Sequence, residues 1–412
     1  MVTRRELLTM IGCGLGAATC AGWAPASAAA APAGPRLLVV LLRGGLDGVH
    51  AVPPVGDPGY SALRGPLALS PDGATEAGGA ALRLDGTFAL HPSLAFCAGL
   101  YARHEFLPIV AAAPPYWGRS HFEAQDCVEN GSDSPSGAET GWLNRAVGCL
   151  HDGGLSATTV MPLILRGPAK IDEWSPPLPN RVNPILLQRL EPLYGEDSVL
   201  AAPFAEAITE RGEDAGIDAH LAGARMVAGR RLPTIAAAAG AFLARRGGPR
   251  IAFVEDYGWD THANQAPILA RKLAELDHAV HAFHDAVWPA WGRTVAVVVT
   301  EFGRTARANG TAGTDHGTGG AMFVFGGAVA GGRVGGQWPG MRPAELYQNR
   351  DVHATTDQRA VFKGVLGSHF GLSAEVLSRT IFPGSGALRP LGGLLHQRVA
   401  AARGEKNAAR DD

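Results

Sequence analysis

The feature that most constrains this chain is a series of continuous apolar runs, each the length of a β-strand and each ended by glycine, proline or charge. "LLVVLL" (37–42) stops at Arg43-Gly44-Gly45, "FLPIVAAA" (106–113) at Pro114-Pro115, "VMPLIL" (160–165) at Gly167, "RIAFVE" (250–255) at Gly258 and "TVAVVVT" (294–300) at Gly303, with "AMFVFGG" further on. A strand that is apolar on both faces has to be covered on both, the condition met by a parallel sheet between helices. Helical periodicities fill the gaps, over 91–105, 218–246, 265–287 and 355–371. In the third, Ile268, Leu269, Leu273, Leu276, Val280 and Phe283 recur at three to four residues, the stripe of a helix lying on a sheet. The alternation predicts an α/β fold with a mostly parallel central sheet and helices on both faces.

The ends read differently. "MVTRRELLTMIGCGLGAATCAGWAPASA" carries Arg4 and Arg5, then Leu7 and Leu8, a small-residue run diluted by Gly12, Gly14, Gly16 and Gly22, and Ala26-Ser27-Ala28 as a small-x-small cleavage site. This predicts a twin-arginine signal peptide over 1–28, the twin-arginine translocase as partner during export, and a periplasmic or extracellular location. A linker over 29–36, a single domain over 37–400 with a cap or insertion near 170–215, and a disordered tail over 401–412 complete the expected plan. No other run is long enough to cross a membrane. That export route carries folded proteins and so suits one that takes up its cofactor in the cytoplasm. With 18% charged residues and a net charge of -2, the chain has no electrostatic footprint for nucleic acid. Cys13 and Cys20 fall in the signal; the spacing of Cys97, Cys127 and Cys149 suits buried core thiols.

In open α/β sheets, ligands sit beyond the carboxyl ends of the strands. The loops expected there carry Asp47 in "RGGLDG", Arg119, Ser120 and His121 in "YWGRSHFEAQD", Asp260 and His262 in "GWDTHANQ", Glu301 and Arg304 in "EFGRT", and Asp315 and His316 in "TDHGTGG". Each has a plainer reading. Asp47 suits a turn, Asp260 or Thr261 a helix N-cap, Ser120-x-x-Glu123 a capping box, and Glu301 with Arg304 an ion pair. In "TDHGTGG" the glycines would let the backbone approach a ligand. Taken together, Asp47, Asp260, His262, Asp315 and His316 form an oxygen-and-imidazole ligand set for Zn, Mn, Mg or Ca, without thiolates. Two divalent ions about 4 Å apart would polarise a phosphoryl or sulfuryl oxygen. Ser120 would be the nucleophile, and Arg119 or Arg304 would hold the ester oxygens. Asn264 and Gln265 would at most support the ligands.

In that order and behind a twin-arginine signal, "LLRGGLDG", "RSHFEAQD", "GWDTHANQ", "EFGRTARANGTAGTDHGTGGAMFVFGG" and "TTDQRAVF" resemble a widespread bacterial family of exported proteins of unknown function. That family is grouped with the alkaline phosphatase and sulfatase-like superfamily, and the resemblance spans nearly the whole mature chain. It implies an alkaline-phosphatase-like sheet, a one- or two-metal site at its carboxyl edge and a Ser, Thr or modified Cys nucleophile. By position it implies Asp47 and the Asp315-His316 pair as metal residues, Asp260 and His262 as the other metal's pair, and Ser120 as nucleophile. Glu301 and His121 are additional candidates, as is His353 for a further histidine. The sulfatase pattern C-x-P-x-R is absent, which argues against a formylglycine nucleophile. The expected function is an exported metal-dependent hydrolase of phosphate or sulfate esters, its substrate a small molecule or glycan ester. The alternative is a non-catalytic cell-envelope protein that uses the same crevice, with Trp117 and Trp259, to bind a glycan or a protein partner.

Overall fold

The computed structural model describes residues 34–176 and 231–396, with positions 192 and 201 between them. The predicted signal, all of the linker but residues 34–36, the tail over 401–412, most of the cap or insertion and the first half of the helix expected over 218–246 lie outside the described residues.

Along the chain come β1 (Arg36–Arg43), α1 (Gly48–Ala51), α2 (Tyr60–Arg64), β2 (Leu82–Arg83), β3 (Ala89–Leu90), α3 (Ala95–Ala102), β4 (Phe106–Ala113), α4 (His121–Asn130) and α5 (Trp142–Leu150). Then follow β5 (Gly154–Ser156), β6 (Ile171–Glu173), α6 (Arg231–Ala244), β7 (Ile251–Tyr257), α7 (Gln265–Val287), β8 (Thr294–Thr300) and β9 (Gly320–Phe325). The chain ends with β10 (Leu346–Tyr347), β11 (Asp351–Val352), β12 (Thr356–Asp357) and α8 (Gln358–Phe370). An eight-stranded sheet runs in the order β12-β4-β9-β8-β1-β7-β5-β6. Every pairing in it is parallel except those of β9, which lies antiparallel between β4 and β8.

The fold is therefore α/β with a mostly parallel sheet, as the apolar runs require. Side chains of β1 alternate between two cores. Leu38, Val40 and Leu42 pack with α6 and α7 residues such as Leu243, Leu273 and Phe283, while Leu37, Val39 and Leu41 pack with Trp142, Val361 and Phe362 of α5 and α8. A period of two sends successive residues to opposite faces, so a run apolar at every position serves both layers.

Two expectations fail locally. "VMPLIL" is not a strand: Leu163–Leu165 form a 3-10 turn, and the sheet is instead continued by Gly154–Ser156. Pro162 has no N–H to give a ladder, which favours that outcome. "AMFVFGG" is a strand, but an antiparallel one, because the loop over 301–319 returns the chain to the edge it has just left.

Since β4 and β8 both run antiparallel to β9, β4 points the same way as β8, β1 and β7. The loops after β1, β4, β7 and β8 consequently emerge at one edge.

Candidate metal centre at the carboxyl edge

His121 opens α4 immediately after the loop from β4, Asp260 and His262 follow β7, and His316 lies in the loop between β8 and β9. His121, Asp260 and His316 each offer a ligand atom, and those atoms lie within 4.8 Å of one another, a group that can hold a metal ion. His316 Nε2 stands 2.9 Å from His121 Nε2 and 3.0 Å from His262 Nε2. Asp260 closes the cluster, with a carboxylate oxygen 3.0 Å from His262 Nε2 and 3.4 Å from each of the other two.

The far side of each ring explains the chemistry. His121 Nδ1 lies 2.8 Å from Glu301 Oε1, His316 Nδ1 lies 3.0 Å from the Arg119 carbonyl, and His262 Nδ1 lies 3.4 Å from Asp315 Oδ1. Carbonyl and carboxylate oxygens only accept, so each Nδ1 carries the proton and each neutral ring turns its Nε2 lone pair inward. Lone pairs facing one another at 2.9 Å repel. A proton on that line or a cation in the middle removes the repulsion. An imidazole whose second nitrogen is tied to a carboxylate or carbonyl is the usual arrangement of a metal-ligating histidine.

Charge around the cluster is arranged to match. Burial raises the Glu301 carboxyl, but hydrogen bonds from His121, Gln125 and the Gly44 N–H outweigh it and hold Glu301 below its ordinary value. Burial likewise raises Asp260, and the Arg304 guanidinium with the two nearest imidazoles brings it below. The bond to Glu301 raises His121, whereas burial, with His121 and Arg304 nearby, lowers His316. Between these two rings a shared proton therefore favours His121, which can donate through Nε2 to His316.

The surrounding loops are locked by backbone. Arg304 is 1% exposed and donates to the carbonyls of Gly45, Thr314, Gly44 and Trp259 and to the Asp260 carboxylate. It ties the loops after β1, β7 and β8 together and its side chain is fully buried, out of reach of an ester oxygen, so its expected role as a substrate clamp is corrected to that of a brace for Asp260. The ion pair expected between Arg304 and Glu301 is likewise absent among the described contacts: Glu301 serves His121, Gln125, Thr300 and Gly44 instead. The glycines of "TDHGTGG" and the residues before it approach backbone rather than ligand. A Cβ at Gly313 would run into the His262 carbonyl, and one at Gly317 into Arg304.

Asp47 is not brought to the cluster. It is fully buried, caps α1 through the His50 N–H, and takes Arg64 and Gln265 as partners. The Arg64 guanidinium opposes the effect of burial and holds the Asp47 carboxyl below its ordinary value. Both carboxylate oxygens are spent, so its expected place as a metal ligand is corrected to a buried ion pair. Asp315 is 51% exposed and accepts from Asn309 as well as meeting His262 Nδ1, an orienting position rather than one on the inner ring of atoms. His353 is exposed and packs against Trp117 and Tyr347, with ring centroids 5.7 and 6.0 Å away, outside the cluster. Trp259, expected in the crevice, is 0% exposed.

Ser120 and Arg119 do belong to the rim. Arg119 adopts φ 61°, gives its carbonyl to His316 and pairs its guanidinium with the buried Asp351. Asp351 also accepts from Arg350, which donates to the His316 carbonyl, so the β10-β11 hairpin grips both the loop after β4 and the loop after β8. The Ser120-Glu123 capping box does not form: Ser120 occupies the N-cap of α4 without a side-chain cap bond, and Glu123 accepts from Tyr116 instead. The Ser120 hydroxyl is therefore not committed to the helix. His121, only an additional candidate from sequence, is central, and Gln125, one turn further along α4, joins Arg43 to Glu301 without any sequence signal of its own beyond position. The available signal was position: both side chains leave the first turns of a helix that begins at the carboxyl edge. Cys97, Cys127 and Cys149 are free thiols, two buried and one half-buried, which matches their reading as core residues.

These features define an α/β protein with a three-imidazole, one-carboxylate cluster at the carboxyl edge of its sheet. Residues 200–381 match the family described as "Protein of unknown function (DUF1501)", a stretch that contains Asp260, His262 and His316 and excludes His121. No curated protein matches the chain. Among the described residues no helix is long and apolar enough to cross a membrane.

Proposed function

We propose that this chain is an exported metal-dependent hydrolase of phosphate or sulfate esters, built on an alkaline-phosphatase-like scaffold with one divalent-metal centre at His121, Asp260, His262 and His316. The observation that carries the reading is the set of three imidazoles, each pinned through Nδ1 by an oxygen acceptor and each turning Nε2 toward the others and Asp260. Three histidines and a carboxylate suit zinc or another imidazole-binding first-row metal better than Ca or Mg. When bound there, such an ion supplies Lewis-acid polarisation of an ester oxygen.

The remaining work falls to the chain. Ser120 is flanked in sequence by Arg119, whose carbonyl holds His316, and by His121, and its hydroxyl, free of the helix cap, is the nucleophile of this proposal. Arg119, its side chain 25% exposed, is the cation nearest that serine in sequence and steadies the anionic part of the ester. Glu301 and Asp315 keep the rings aligned. Asp260 is held ionised by Arg304, so the cluster keeps an anionic ligand at neutral pH.

The test is metal analysis of the purified mature protein together with turnover of aryl phosphate and aryl sulfate by the wild type, Ser120→Ala and His316→Ala. About one equivalent of metal, lost in His316→Ala, with turnover lost in both variants, supports the proposal. A folded protein that takes up no metal and turns over neither ester refutes it.

A further inference from the structure

Beside the cluster lies a cleft of about 310 Å³ between α4 and the end of β7. The exposed large hydrophobic side chains among the described residues are Trp117, Phe122, Val160, Tyr257 and Trp288, and three of these five line this one concavity. Phe122 is 83% exposed, Val160 73% and Tyr257 60%. Single exposed apolar residues need no explanation, but their convergence on a cleft marks a place where apolar surface is covered by something else.

The floor of the cleft is polar and already satisfied. Arg43, at the end of β1, pairs with Glu129 and Glu255 at 2.8 Å each and donates to the Gln125 side-chain carbonyl, also at 2.8 Å. Gln125 in turn donates to Glu301 at 2.9 Å, and Glu301 orients His121. One layer of side chains therefore separates the cleft from the metal cluster, and Phe122 adjoins the ligand His121 in the first turn of α4.

We infer that this cleft is the subsite for the alcohol portion of the ester, and that the portion it accepts bears no negative charge and carries a ring. The inference takes the word ester from the proposed hydrolase function, while the ring-binding subsite stands on the cleft itself. Rings are favoured because two of the lining side chains, Phe122 and Tyr257, are aromatic, and aromatic side chains pack well against planar or ring-shaped apolar surfaces. The lining charges speak against an anionic portion: Arg43 and Arg166 stand against the carboxylates of Asp126, Glu129 and Glu255, so an anionic group would meet net repulsion. The volume lies at the small end of ligand sites, which fits one substituted ring rather than a polymer.

The experiment uses the mature, metal-loaded protein and measures binding of methyl phosphate, phenyl phosphate, glucose 1-phosphate, phenol and methyl glucoside by ligand-observed NMR. Phenyl or glucosyl phosphate is expected to bind roughly ten-fold more tightly than methyl phosphate, the scale of burying one ring. Phe122→Ala and Tyr257→Ala are expected to close that gap while leaving metal content and methyl phosphate binding unchanged. Which ring-bearing ester loses affinity distinguishes an aryl from a glycosyl source. A gap that survives both substitutions overturns the inference. If no phosphate ester binds the wild type, the hydrolase reading fails separately; phenol or methyl glucoside binding that is lost in both variants still supports the subsite, and absence of binding by both overturns it.

Discussion

At the scale of single residues, the cluster depends on groups that do not face the metal. Glu301 is 0% exposed and holds His121 by Nδ1. Glu301→Gln keeps the shape and an acceptor but removes the charge that makes the ring a stronger ligand, so metal affinity should fall about 10- to 100-fold. Competition with a chromophoric chelator reads this directly, and an affinity within about two-fold of wild type counts against the role. A different buried pair governs acid stability. His50 and His91 pack in a tilted pair with ring centroids 5.1 Å apart, and both nitrogens of His50 and Nε2 of His91 are buried without a hydrogen-bond partner. Burial pushes His50 down to about 3 and His91 down to about 4. Both stay neutral in the fold while the unfolded chain protonates them below its ordinary histidine value near 6.5. Their contribution is present above that value and is lost as pH falls from about 6.5 toward 4, by up to about 1.4 kcal/mol per pH unit for each ring. His50→Leu should flatten the stability profile across that window in chemical denaturation. It should also raise stability at pH 7 by about 1 kcal/mol, since the orphaned ring nitrogens go with it. An unchanged slope would show that the ring is not neutral in the fold.

At the scale of elements, the loop between β8 and β9 bears on the site through close backbone contact. A Cβ at Gly313 would meet the His262 carbonyl, and His262 Nε2 is only 3.0 Å from His316 Nε2. Gly313→Ala should displace His262 and weaken metal binding several-fold. The two cores flanking the sheet lie elsewhere, so the unfolding midpoint should change little. Isothermal titration paired with thermal melts separates the two effects, and unchanged metal binding would mean that the loop yields without moving His262. The same elements show how far the sequence could be read. The bounds of β4, α7 and β8 match their apolar patterns because burial on both faces, or along one stripe, writes itself into consecutive residues. β5 escaped because three residues, Gly154–Ser156, are too few to set a period. Proximity to the carboxyl edge was legible for Asp260, His262 and His316, whereas the partner of each side chain was not. Asp47 looked like a ligand because nothing near it in sequence announces Arg64, 17 residues on, or Gln265, 218 residues on. His121 looked secondary for the same reason: its importance lies in Glu301 and His316, which the fold supplies from 180 and 195 residues away.

At the scale of the whole molecule, those separations make metal binding a measure of folding. An unfolded chain cannot gather side chains that far apart into one cluster, so an ion held there would bind the native state almost alone and stabilise it by mass action, by about 2.7 kcal/mol at a free concentration 100 times its Kd. The two cores on either face of the sheet are built from residues other than the cluster and do not need the ion to cohere. Chelation should therefore lower the melting midpoint by a few degrees, about 1 to 2 °C per kcal/mol for a domain of this size, while far-UV circular dichroism at 25 °C stays unchanged. A small zinc-dependent domain behaves differently, unfolding outright when its metal is removed, because there the metal replaces a core. Asp260→Asn should show the low midpoint with or without metal, since Asp260 is the carboxylate common to all three imidazoles. Identical midpoints for the wild type in excess zinc and in chelator would mean that the imidazoles hold a proton and no cation, and the hydrolase proposal would lose its catalyst.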